Sequence, residues 1–381
     1  MKKAIYAFSG DPITYGHIDI VRRASKIFDE VVVGIGQNPD KDYMFTLEER
    51  TEMAKRALSN LKNVRVISFT GLLVDFAYEN KIPVIIKGIR NNTDFDYEVL
   101  LHSLGESQKL GIETFIIPAK KELAHISSST VKSLQKEQGL INEFVPLHVK
   151  QFMEARTSNQ FIIGVTGEMG TGKTFVCEKL REIGTKRGIP VHHIELDHIG
   201  HQILEELKDP SYESVRKEII ENFGSKVKLK NGFISRKALG EIVFSDKEKL
   251  KKLNSIMKKP MLVRLKKELH GKKGIILFNA ALLAESEMIY LCNNNTILVT
   301  ANKKIQKERM KKRKLSDEQI KRRLSSQYTS KEKKQKIKDQ IKKHNHGKLW
   351  IMENSDGNNS KKIEKLFNEL TVHAEKLLKL K

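Results

Sequence analysis

The chain has 381 residues, 39% of them hydrophobic and 31% charged, which is long for one core and fits a soluble globular enzyme of two domains. MKK runs straight into a strand-like segment with no secretory leader pattern, and apolar runs such as IILFNAALLA are too short to cross a bilayer. Cys177 and Cys292 stand far apart in no metal or redox spacing, so they are expected to be buried thiols of a cytoplasmic protein.

The net charge of +23 first suggests nucleic acid or anionic lipid as a partner, and its distribution argues against both. Residues 1–157 hold 21 Lys and Arg against 20 Asp and Glu, whereas the rest of the chain holds 49 against 27. Within 300–345 alone there are 18 basic and 5 acidic residues, and no aromatic interleaving accompanies them. This block is either a solvated helical face or a face turned to phosphate ligands, and neither nucleic acid nor membrane is expected as a partner.

In chain order, the first half alternates apolar runs AIYAF, EVVVGIG, VRVISF, VIIKG and ETFIIP with helix-period segments. One of these, FTLEERTEMAKRAL, starts at a capping Thr46 followed by Glu48 and Glu49. Five strands each followed by a helix predict an α/β domain with a five-stranded parallel sheet, whose ligands bind beyond the carboxyl ends of the strands. INEFVPLHVKQFMEAR reads as a closing helix and TSNQ at 157–160 as a short polar joint, giving domains 1–156 and 161–381. FIIGVT, PVHHIEL, GIILFN, TILVT and LWIMEN then form a second parallel set, with a helical basic insertion near 303–345.

The loop before the first helix, YAFSGDPITYGH at 6–17, ends in Gly16 and His17. Glycine permits close approach of a ligand, and the helix N-terminus favours an anion beside the imidazole; alone, a histidine at a helix start is more often a surface residue. Lys41 follows the second strand, Lys87, Gly88 and Arg90 follow the fourth, and HISSSTVK opens a serine-rich helix after the fifth. Together they describe a triphosphate site without a general base. In the second half, GEMGTGKT at 167–174 matches the phosphate-loop pattern in its strand–loop–helix context. There backbone N–H groups surround phosphate oxygens, Lys173 reaches the β- and γ-phosphates, and the Thr174 hydroxyl ligates magnesium. Glu195 and Asp197 end the next strand, where two-residue spacing places both on one face of an extended chain. Asp197 is then a proton acceptor for an attacking hydroxyl or an ordinary helix N-cap. His192, His193, His198 and His201 admit a zinc reading, though no cysteine accompanies them.

Residues 3–150 resemble the phosphopantetheine adenylyltransferases, through DPITYGHIDIVRRASKIFDEV, MFTLEER, GLLVDFA, KGIR, DFDYE and ISSSTVK. The remainder resembles the dephospho-coenzyme A kinases, through the glycine loop, Asp197, NGFISRKALGEIVFS around Arg236, LNSIMKKP, FNAALLAES, QKERMKKRKLS, RRLSSQ and MENSDG. That order is the one found in bifunctional coenzyme A synthases. The resemblance implies a Rossmann-like nucleotidyltransferase followed by a P-loop kinase with a helical lid, joining ATP to 4′-phosphopantetheine and then phosphorylating dephospho-coenzyme A. It implies phosphopantetheine contacts at Ser9, Lys41, Leu73 and Lys87. It implies ATP contacts at Ser9, Gly10, His17, Gly88, Ile89, Arg90, Glu98, Leu123, Ala124, His125, Ile126, Ser127, Ser128 and Ser129. For the second ATP the residues are Gly170, Thr171, Gly172, Lys173, Thr174 and Phe175, with Arg309 and Arg313, and Arg322 or Arg323, over the phosphates. His17, Lys41, Arg90, Lys173 and Asp197 are the expected catalytic residues, Mg2+ on Thr174 the expected metal, and a homo-oligomer through the first domain the expected assembly. The chain departs from these families at Phe8, Gly10, Lys87, Glu168, Lys259, Asn279 and Ala281. Gly10 is expected to supply the close backbone approach while the Phe8 ring turns into apolar packing. Another small-molecule nucleotidyltransferase fused to a nucleotide kinase, or one half that only binds nucleotide, are the alternatives.

Overall fold

The computed structural model describes residues 2–38, 41–243, 246–312, 316–325, 327–355 and 359–378. By internal contacts the chain divides into two compact units, Met1–Met153 and Glu154–Lys381.

In the first unit β1 (Lys3–Phe8), α1 (Tyr15–Ala24), β2 (Glu30–Gly36), α2 (Leu47–Leu58), β3 (Val64–Phe69) and α3 (Leu73–Glu79) are followed by β4 (Val84–Ile89), α4 (Asn92–Glu106), β5 (Glu113–Pro118), α5 (Ser128–Lys136) and α6 (Leu147–Ser158). All pairings are parallel and the strand order is β3-β2-β1-β4-β5. Alternation along each strand feeds two cores: Ala4, Tyr6, Val31 and Val33 face one helix layer, and Ile5, Val32 and Ile85 face the other. Ala4 is paired with Val31 on one edge of β1 and Val84 on the other. The chain leaves β1 between neighbours reached in opposite directions, which opens a crevice beyond Phe8. Thr46 caps α2 as expected, accepting from the Glu49 N–H at 3.3 Å while the Glu49 carboxylate accepts from the Thr46 N–H at 2.9 Å.

In the second unit β6 (Gln160–Thr166), α7 (Lys173–Lys186), β7 (Val191–Glu195), α8 (Leu196–Glu205), α9 (Pro210–Phe223), α10 (Arg236–Val243) and α11 (Lys247–Leu269) precede β8 (Gly274–Asn279), β9 (Thr296–Thr300), α12 (Lys303–Lys312), α13 (Asp317–Ser325), α14 (Ser330–His344), β10 (Leu349–Glu353) and α15 (Ser360–Glu375). Its sheet is also all parallel, in the order β10-β9-β6-β8-β7, with β6 again central. Ile163, Val165, Ile275, Leu277, Val299 and the helix residues Val176 and Leu180 fill its core.

Three expectations change. The closing helix begins only after Pro146, whose ring blocks its extension toward residue 141. The polar joint at 157–160 is not a loop: Thr157 and Ser158 end α6, and Gln160 opens β6 with its amide buried and donating to Leu269 O and Lys272 O at 2.9 and 2.7 Å. The fourth strand runs on through Lys87, Gly88 and Ile89. Cys177 and Cys292 are buried and unbridged, and no helix among the described residues is long and apolar enough to cross a membrane.

Gly184 on α7 allows a close approach to β7, since a Cβ there would lie 2.5 Å from Val191 Cγ2 and 2.7 Å from Ile189 O. Gly184→Ala is expected to cost the second unit about 1–3 kcal/mol by overpacking. Trp350, the sole tryptophan and a buried residue of this unit, reports the loss as a lower denaturant midpoint in its fluorescence.

Candidate functional site

In the first unit Thr14 caps α1, and its N–H donates to Nδ1 of His17 at 3.0 Å. With Nδ1 accepting, the proton belongs on Nε2. Burial, with the nearby Arg90 charge adding to it, lowers the His17 pKa to about 4, so the ring is neutral near pH 7. Phe8 explains part of that burial. It does pack against the first core, as expected, but its ring also lies flat on the imidazole, with centroids 4.3 Å apart and planes 6° from parallel. The exchange with Gly10 is sterically coupled: Gly10 has φ +64°, and a Cβ there would come 3.3 Å from the Phe8 ring. A glycine at 10 is what leaves room for a ring at 8.

Residues that sequence reasoning passed over hold this loop. The buried Asp11 carboxylate accepts from the N–H groups of Met44 and Phe45 at 3.1 and 3.0 Å and pairs with Lys132 at 2.8 Å. Arg50, buried against the Tyr43 ring, donates to the carbonyls of Ser9 at 2.5 Å and Gly36 at 2.8 Å. An arginine amid the polar face of an amphipathic helix gives no sequence signal of such a role. Ser128 Oγ donates to Pro12 O at 2.8 Å, and Gly16 faces the carbonyls of Leu123 and Ile126. The segment from Leu123 through Ala124 and His125 to the cap Ser127 and the first-turn residues Ser128 and Ser129 is thus brought to the T-x-G-H loop.

On the β4 side, Gly88 lies against Tyr6, whose hydroxyl a Cβ would meet at 3.1 Å. Lys87 pairs with Glu98 at 2.7 Å, and Arg90 pairs with Asp94 through two contacts of 2.7 and 3.0 Å. Asp94 holds the Arg90 pKa up, and Arg90 holds the Asp94 pKa down. Both cations are therefore held by acids. Lys41 is exposed, its backbone N–H bonding Asn38 O at 3.2 Å, and Leu73 packs in the opposite core; neither joins this cluster.

In the second unit the phosphate loop connects β6 to α7. Gly172 has φ +88°, and any Cβ would fall 2.2 Å from Asn354 Nδ2, so glycine is required there twice over. Lys173 Nζ donates to the carbonyls of Gly167 and Glu168 at 3.1 and 3.3 Å. A cavity of about 210 Å³ opens over the loop, lined by Gly170, Gly172, Lys173, Thr174, Glu195, Asp197, Asn279 and others. Glu195 and Asp197 do not share a strand face. β7 ends at Glu195, which occupies the cap position, and Asp197 sits in the first turn of α8. The chain turns helical at once, and the turn brings both carboxylates to the same cavity. Asp197 faces solvent on one edge, yet the cavity wall desolvates its carboxyl and raises its pKa; Lys173 opposes the rise and Glu195 adds to it.

Thr174 Oγ donates to Glu195 Oε1 at 2.8 Å and accepts from Asn279 Nδ2 at 3.1 Å. Hydroxyl and carboxylate oxygens side by side form the donor set that a magnesium ion takes. His193 lies between Glu178 at 2.9 Å and Asn279 at 3.1 Å, and His201 is 2.6 Å from Glu205. Among the described residues no cluster of three or more His, Cys, Asp or Glu side chains forms a metal site. Arg309 points to the back of the loop, donating to Thr171 O at 3.2 Å and Asn354 O at 2.9 Å. Phe175 is exposed. Arg313 lies outside the described residues, as do the side chains of Arg322 and Arg323 on α13.

His17 and His148 both have pKa values lowered to about 4 by burial, below the ordinary 6.5. Their contribution to stability is complete above pH 6.5 and is lost as pH falls toward 4, because only the unfolded chain takes up the protons. Moving from pH 7.5 to pH 5 is expected to lower the stability of the first unit by about 1–2 kcal/mol per histidine, measured by urea unfolding followed by amide exchange in peptides of that unit.

A family model described as Dephospho-CoA kinase matches residues 161–349, and one described as Cytidylyltransferase-like matches residues 9–134. The phosphopantetheine adenylyltransferase of Haemophilus ducreyi is 41% identical over 156 residues, covering 41% of this chain and 97% of that protein. That of Alkaliphilus metalliredigens is 42% identical over 157 residues, 41% of this chain and 100% of the relative. Among solved structures, TT1252 from Thermus thermophilus is 25% identical with a TM-score of 0.44, over 56% of this chain and 98% of its own. A dephospho-CoA kinase from Campylobacter jejuni is 22% identical with a TM-score of 0.32, over 56% and 97%. The chain therefore belongs to the phosphopantetheine adenylyltransferase family and continues into a dephospho-CoA kinase domain, the arrangement of a fused bifunctional coenzyme A synthase.

Proposed function

We propose that the chain carries out the last two steps of coenzyme A synthesis, adenylyl transfer to 4′-phosphopantetheine and then phosphorylation of the ribose 3′-hydroxyl of dephospho-coenzyme A. The observation that carries this reading is the difference between the two phosphate sites. One holds a neutral imidazole at a helix N-terminus near the Arg90 charge; the other places a carboxylate, Asp197, in one cavity with a phosphate-loop lysine.

The first step needs no protein nucleophile. The substrate phosphate attacks the α-phosphate of ATP and pyrophosphate leaves. His17, with Nδ1 held by Thr14, offers its Nε2 proton to a phosphate oxygen. Arg90 and Lys87 exchange Asp94 and Glu98 for phosphate oxygens, and Lys41 closes over the ligand from its exposed loop. Ser9, Gly10, Gly88, Ile89 and the 123–129 segment supply backbone and hydroxyl contacts. Alignment of this kind is worth about 7–11 kcal/mol of the barrier, and preorganised charge adds to it.

In the second step Asp197 accepts the proton of the 3′-hydroxyl as that oxygen attacks the γ-phosphate of a second ATP. A pKa raised above the usual aspartate value makes it a better acceptor. Lys173 leaves the carbonyls of Gly167 and Glu168 for the β- and γ-oxygens. Thr174 and Glu195 would hold Mg2+, which supplies positive charge to those oxygens. Arg309 acts from behind, holding the Thr171 carbonyl and so the loop's curvature.

Every residue of α4 is half-buried or exposed, and Phe95, Tyr97, Val99, Leu100 and Leu104 are open to solvent, as is Phe115 on β5. So large an apolar surface supports self-association through the first unit. With two unbridged thiols, a reducing cytoplasm is the expected compartment.

Incubation with 4′-phosphopantetheine and ATP-magnesium is expected to yield coenzyme A by mass; unconsumed phosphopantetheine would sink the reading. Lys173→Ala should stop the sequence at dephospho-coenzyme A, with the second turnover reduced at least 100-fold. His17→Ala should block the first step and still convert added dephospho-coenzyme A. Light scattering should give a mass that is a multiple of 43.7 kDa, lowered toward a single chain by Leu100→Glu with Leu104→Glu.

A further inference from the structure

Glu168 puts a carboxylate inside the phosphate loop GEMGTGKT. That charge would repel a triphosphate unless it were turned away. The structure directs it to the start of α14. At the start of α14 three successive N–H groups are each taken by a different glutamate. Tyr328 N–H donates to Glu285 at 2.9 Å, Thr329 N–H to Glu332 at 2.7 Å, and Ser330 N–H to Glu168 at 2.7 Å. Ser330 Oγ donates to the same Glu168 oxygen at 2.6 Å. Glu332 is the local capping-box partner; Glu168 and Glu285 come from 162 and 43 residues away.

Two further ties run between the same parts of the chain. The Met169 N–H donates to Gln327 Oε1 at 3.1 Å. Lys333, fully buried one turn into α14, pairs with Glu285 and donates to Ala281 O at 2.7 Å. The phosphate loop, the 281–285 segment and the stem that follows the basic helices α12 and α13 are thereby joined through one polar cluster. A glycine at 168 could make no such tie, and helix N-termini favour carboxylates.

We propose that Glu168 is a positioning residue for the phosphoryl-transfer step, a strut by which the start of α14 holds the phosphate loop in its ATP-binding shape. The inference rests on the kinase reading of the second unit. Its carboxylate is spent on the helix N-terminus, so it stays out of the phosphate space, and loop and stem move together.

The test compares Glu168→Ala, which removes the acceptor, with Glu168→Gln, which keeps an acceptor for Ser330. Amide hydrogen exchange is measured first, without substrates. Glu168→Ala should speed exchange of the Tyr328–Lys333 amides at least tenfold, and Glu168→Gln should restore most of the protection. KM for ATP in the conversion of added dephospho-coenzyme A should rise about tenfold in Glu168→Ala, and by less than threefold in Glu168→Gln. Adenylyl transfer should be unchanged in both, and Trp350 fluorescence checks that each variant is folded. Unchanged exchange in Glu168→Ala overturns the strut, and so does faster exchange with an unaltered KM for ATP. If the native chain made no coenzyme A at all, the kinase reading would fail, while the exchange experiment would still decide whether Glu168 anchors α14.

Discussion

Parallel pairing on both edges of a central strand is the constraint on which both sites depend. β1 lies between β2 and β4, and β6 between β8 and β9. Crossovers from such a strand depart in opposite directions, and the loop at its carboxyl end is left uncovered between them. In each unit that loop carries the segment proposed to bind phosphate. After six intervening residues a helix begins in each unit, α1 at Tyr15 and α7 at Lys173, and helix N-termini attract anions.

The same geometry serves two different chemistries because the side chains on the rim differ in protonation. In the first unit, burial under Phe8 keeps an imidazole neutral, and a backbone N–H fixes which nitrogen carries the proton. In the second, a carboxylate stands where the chain turns from β7 into α8, beside a lysine whose charge tempers the rise in its pKa. Arg90 pairs with Asp94, Lys87 with Glu98, and Lys173 with loop carbonyls. These pairs keep half-buried charge satisfied.

Much of this was legible in the residues. Among the described residues the strands, β7 with its two histidines apart, coincide with apolar runs, and Thr46, Ser127 and the glycines of GEMGTGKT announce helix starts and a phosphate loop. Less legible were the residues that act across distance. Asp11, Arg50 and Lys132 have ordinary local contexts, and nothing near Glu168 in sequence reveals Ser330 as its partner. The two-residue spacing of Glu195 and Asp197 suggested one strand face, and the turn into α8 replaced that with a shared cavity wall. Arg309 looked like a residue facing the phosphates, and packing of α12 placed it on the carbonyls behind them.

By itself the sequence determined fold class, strand order of appearance and the two phosphate loops, because periodicity, capping and glycine spacing are local properties of the chain. The tertiary structure decided which charges meet, which carboxylates are desolvated and how the departures at Phe8 and Gly10 fit together. Phe8 and Gly10 show why. As isolated letters they are two anomalies, while in space a ring needs the room that a missing Cβ provides. Contact energies between residues distant in sequence arise only once packing has brought them together, and no local pattern encodes that meeting.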